Sequence, residues 1–142
     1  MHVSSGEPRK VPCFAPKLYL IMVSLILLGI VVEGALIGPS LFAATHWGWA
    51  VHGNLGGVLF LLTLLLPVVS GLSRMPGRMT LLSTVLAVLN LLEVTSAAGG
   101  RRVPLLAALH PANALLLMAL TVLLLVQAWQ LMRQGSDAME PK

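Results

Sequence analysis

The stretch WAVHGNLGGVLFLLTLLLPVVSG, residues 49–71, decides the fold. It contains no Asp, Glu, Lys or Arg. At about 1.5 Å per residue it is long enough to cross a hydrocarbon layer of about 30 Å. Three further stretches read the same way, over residues 18–38, 79–98 and 105–132. Short segments with helix breakers separate them: Gly38-Pro39, the run 71–78 and the run 99–104. Short turns make consecutive helices antiparallel neighbours. The expectation is an all-α, integral membrane, up-and-down four-helix bundle over residues 18–132. Polar tails over 1–17 and 133–142 flank it.

Composition agrees. The chain has 142 residues, is 57% hydrophobic and 10% charged, and has a mean hydropathy of +0.91. A soluble domain of this size cannot bury so much apolar surface, so the excess is expected to face a lipid bilayer. The net charge of +4 does not point to nucleic acid, because the cations sit at the ends of apolar runs. Arg9, Lys10, Lys17, Arg74, Arg78, Arg133 and Lys142 fall on one side, and Arg101 and Arg102 on the other. The positive-inside rule then puts both termini in the cytoplasm, with the protein in the inner (plasma) membrane. Tyr19 and Trp129 would lie at the inner interface, Trp47 and Trp49 at the outer one.

Arg9, Lys10 and Lys17 before the run Leu18–Val32 resemble a signal peptide. Cleavage after Ala35 would put Glu33 at the −3 position, where a small residue is needed, so the segment reads as a retained helix. Cys13 is the single cysteine, which excludes an intrachain disulfide and a Cys-x-x-Cys redox pair.

Buried ionisable groups are costly in a membrane, and four occur at similar depth. Glu33 and Glu93 each lie five residues from the expected outer ends of helices 1 and 3. His52 and His110 lie three and five residues into helices 2 and 4. All four are expected within roughly 5–8 Å of their helix ends.

Helical spacing groups them with other inward residues. The stripes are Met22, Ile26, Gly29 and Glu33; His52, Gly56, Leu59, Thr63 and Ser70; Leu82, Leu86, Asn90, Glu93 and Ala97; and His110, Asn113, Leu117 and Thr121. Small residues at Gly29, Gly56 and Ala97 would permit close approach of a helix or a flat ligand. A weak repeat accompanies this: Glu33 and Glu93 precede His52 and His110, and Thr63 and Thr121 each follow their histidine by 11 residues.

Helices 2 and 4 of such a bundle lie diagonally across its core, so His52 and His110 could hold one haem b iron. Glu33, Glu93 and Asn90 would serve as supporting or proton-linked groups, with Gly56 and Asn113 beside the cofactor. The competing reading makes each histidine a hydrogen-bond partner of a carboxylate that stabilises the bundle. His46 projects from the opposite face of helix 2 and His2 lies in the tail, so at most one two-histidine site is available. No Glu-x-x-His occurs, which argues against a bundle di-metal site. Pro111 leaves two starts open for helix 4, Leu105 or Pro111.

The residues His52, Leu55-Gly56, Leu109-His110-Pro111 and Asn113-Ala114 resemble a family of small, uncharacterised four-helix bacterial membrane proteins. More distantly, the layout is similar to half of haem A synthase and to the four-helix core of b-type cytochromes. That resemblance implies haem ligation by His52 and His110. Trp49 stands where haem A synthase has a glutamate three residues before its helix 2 histidine. Two other functions remain open: a non-catalytic membrane subunit of a larger complex, and a quinol- or small-molecule-binding protein using Glu33 and Glu93.

Overall fold

The computed structural model describes residues 14–43, 45–100 and 102–137. His2, Arg9, Lys10, Cys13, Arg101 and Lys142 lie outside the described residues. Four helices follow in order: α1 (Phe14–Phe42), α2 (Trp47–Leu72), α3 (Gly77–Gly100) and α4 (Pro104–Asp137). Each is long and apolar enough to cross a membrane. The chain is an all-α, multi-pass membrane four-helix bundle.

The helices form a ring in which α1 touches α2 and α4, and α3 touches α2 and α4. That makes α1 and α3 one diagonal and α2 and α4 the other. The core is formed by Tyr19, Ile26, Leu66, Met79, Leu86 and Leu124. Large apolar side chains such as Leu61 (61% exposed) and Leu115 (69% exposed) face outward. In water that surface would be unstable; in a bilayer it is matched to its solvent.

Polar side chains lie along the bundle interior, as lipid requires of them. Toward the end that holds both termini, the Tyr19 hydroxyl pairs with Ser83 at 2.9 Å. In the middle, Asn90 Nδ2 donates to Thr63 Oγ1 at 3.0 Å. Near the other end lie the glutamates and histidines.

The helices run past several expected boundaries. Gly38-Pro39 is not the first turn: α1 continues through Pro39 to Phe42. A membrane helix can absorb a proline because neighbours and local adjustments satisfy the backbone groups it releases. Beyond the proline the helical pattern resumes, the Pro39 carbonyl accepting from the Ala43 amide at 3.0 Å. Gly48 lies against this last stretch, and a Cβ there would come within 2.7 Å of the Leu36 carbonyl oxygen. Only glycine lets α2 start so close to α1. Similarly, α4 starts at Pro104 and contains Pro111, so the later start does not occur.

These longer helices place the four ionisable groups deeper than the sequence suggests. Glu33 stands nine residues before the end of α1 and Glu93 seven before the end of α3. His52 and His110 stand five and six residues after the starts of α2 and α4. The range is therefore about 8–14 Å from the helix ends. A second correction concerns Ala97, which is exposed; Ser96 is the buried residue there, and its hydroxyl donates to the Glu93 carbonyl at 2.9 Å.

Candidate functional site

Two hairpins build the site, and each supplies one glutamate and one histidine. In the α1–α2 hairpin, His52 Nδ1 lies 2.9 Å from Glu33 Oε2 and 3.4 Å from the Glu33 carbonyl oxygen. In the α3–α4 hairpin, His110 Nδ1 lies 3.0 Å from Glu93 Oε1 and 3.2 Å from the Glu93 carbonyl oxygen. A carbonyl oxygen can only accept, so these two contacts are hydrogen bonds in the tautomer that carries its proton on Nδ1. In the neutral imidazole, Nε2 then keeps its lone pair. The pairs are half-buried, with side-chain exposures of 22% and 16% for His52 and Glu33, and 30% and 14% for His110 and Glu93.

The two rings meet across the α2–α4 diagonal. Their centroids are 6.1 Å apart and their planes stand at 80°. The mutual position follows from the ring of helix contacts, which points one stripe of each diagonal helix at the bundle axis.

Behind the rings the two halves differ. Asn113 Nδ2 donates to Glu93 Oε2 at 2.6 Å and to the Leu89 carbonyl at 2.8 Å. Asn113 thus steadies the glutamate, not the histidine one turn before it. Glu33 lacks such a donor, and its Oε1 is buried without a protein hydrogen-bond partner. Gly56 lies beside that oxygen; a Cβ there would meet it at 3.2 Å. Asn90 is committed to Thr63. His46 precedes α2 as its N-cap residue and is exposed, so it sits before the helix and not on its far face.

Among the described residues, no group of three or more His, Cys, Asp or Glu side chains is arranged to hold a metal ion. Two imidazoles are nevertheless the complete protein contribution to a six-coordinate haem iron. His52 and His110, each held through Nδ1, are the residues that would hold such a group. Sequence reasoning found the residues but not the Asn113–Glu93 bond. The three- to four-residue rule relates Asn113 to His110 on its own helix and carries no information about α3.

A family of unknown function, DUF6220, matches residues 34–99, from the C-terminal part of α1 to near the end of α3. His52 and Glu93 fall inside the match, whereas Glu33 and His110 fall outside it. No curated protein and no solved structure matches the chain. Over residues 34–99 the chain is similar to an uncharacterised family.

Proposed function

We propose that the bundle holds one b-type haem between His52 and His110, for redox or haem-handling work near the outer leaflet of the inner membrane. One observation carries the reading, the 6.1 Å separation of the two rings. Two imidazoles this close would be the residues to hold a haem iron between α2 and α4. Haem supplies one-electron chemistry when bound. The chain's own residues bind and orient. Glu33 and Glu93 fix the ring tautomers and raise the basicity of Nε2. Asn113 holds Glu93 in place. Gly56 leaves room beside the Glu33 carboxylate.

The test is haem content. The protein purified from haem-replete cells should carry one haem b per chain, and the apoprotein should take up one equivalent on titration. Protein that stays colourless after both leaves the glutamate–histidine pairs as packing devices of a non-catalytic membrane subunit.

One observation favours a second reading. Glu33 Oε1 is a buried acceptor without a protein partner. It suits the hydroxyl of a quinol or a similar small molecule entering beside Gly56. Photolabelling by a quinone analogue that maps to α2 near Gly56, and is lost in Glu33→Gln, would favour that role.

A further inference from the structure

An open groove of about 570 Å³ runs along the seam between the N-terminal part of α1 and the C-terminal part of α4. Its size is within the range of about 300–1,000 Å³ common for small-molecule sites. Its walls change character along their length. Leu20, Leu125 and Val126 form an apolar floor, whereas Trp129, Gln130 and Arg133 line the end nearer the termini. Trp129 is 55% exposed, as an interfacial indole is. Lys17 is also exposed and lies one turn before Leu20 on the same face of α1. The two carboxylates of the spans, Glu33 and Glu93, lie toward the opposite end of the bundle.

We propose that this seam binds an anionic glycerophospholipid, with the headgroup phosphate at Arg133 and Lys17 and an acyl chain along Leu20, Leu125 and Val126. Charge complementarity chooses the occupant. A groove that opens to lipid, cationic at the interface and apolar along its depth apart from Ser24, whose hydroxyl is taken up by the Leu20 carbonyl, matches an anionic headgroup above a hydrocarbon tail. Basic pockets between membrane helices recognise such headgroups for this reason. The guanidinium of Arg133 can engage a phosphate with two parallel hydrogen bonds, and long cationic side chains reach the headgroup level while their stems lie on apolar surface. This site is separate from the histidines and does not depend on haem.

Trp47→Phe with Trp49→Phe leaves Trp129 as the single tryptophan. That protein is reconstituted in phosphatidylcholine vesicles with a rising fraction of brominated phosphatidylglycerol or, separately, of brominated phosphatidylcholine, and Trp129 fluorescence is followed. Phosphatidylglycerol should quench at an about fivefold lower lipid fraction, and Arg133→Gln or Lys17→Gln should each remove most of that preference. Arg102→Gln, at the opposite end, should keep it. Equal quenching by the two lipids, an unchanged preference in Arg133→Gln, or equal loss in Arg102→Gln would overturn the proposal.

Discussion

His52 and His110 face each other across the bundle diagonal with ring centroids 6.1 Å apart, and each is tied through Nδ1 to a glutamate on the helix before it. The arrangement joins two hairpins that are alike in design. Each hairpin holds one imidazole through Nδ1. Polar residues inside a membrane are expensive, so two glutamate–histidine pairs whose rings meet make this the candidate site.

The two glutamates should differ on substitution. Glu93 accepts from His110 and from Asn113, whereas Glu33 accepts from His52 only, its second oxygen being unpartnered. Glu93→Gln should therefore lower stability by about 1–3 kcal/mol and Glu33→Gln by less. Asn113→Ala should resemble Glu93→Gln and add little to it, because both break the same bond. Unfolding in mixed detergent micelles measures all four proteins. Equal losses for the two glutamate variants would contradict the asymmetry.

Gly29 is a packing residue. A Cβ there would run into the Leu59 side chain of α2. Gly29→Leu should cost about 1–3 kcal/mol through overpacking, and Leu59→Ala in the same chain should recover part of it. Gly34, with open space around its position, should accept alanine without loss. Thermal unfolding in detergent distinguishes these outcomes; a stable Gly29→Leu would mean that this face of α1 looks at lipid.

The architecture was legible because each span is an almost unbroken apolar run and because the inward stripes carry the polar residues. Leu59, Thr63, Ser70, Asn113, Leu117 and Thr121 are all buried on those stripes. The errors have physical causes. Pro39 reads as a stop in water, yet a membrane helix tolerates it, so α1 is longer than its breaker suggests. Strict periodicity puts Ala97 inward, but an alanine has no preference strong enough to decide the face, and Ser96 is the buried residue. The Tyr19–Ser83 and Asn90–Thr63 bonds join different helices, which no single-helix pattern reveals. At the site, the glutamate–histidine neighbourhood follows from hairpin geometry and shared depth. The asymmetry between Asn113 and Gly56 does not.

Topology follows from the Lys/Arg distribution, which favours the end bearing both termini. Reporter fusions before Lys17 and after Met132 should both report the cytoplasm. Opposite locations would mean an odd number of crossings, contrary to the four helices.

The most direct measurement is the absorption spectrum of the purified protein, oxidised and reduced. Haem bridging His52 and His110 predicts a low-spin, two-imidazole spectrum in the parent protein. His52→Ala and His110→Ala should each abolish it, since either leaves the iron one axial imidazole, and His46→Ala should retain it. No Soret band in protein from haem-replete cells, or a spectrum unchanged in both His52→Ala and His110→Ala, would contradict the account.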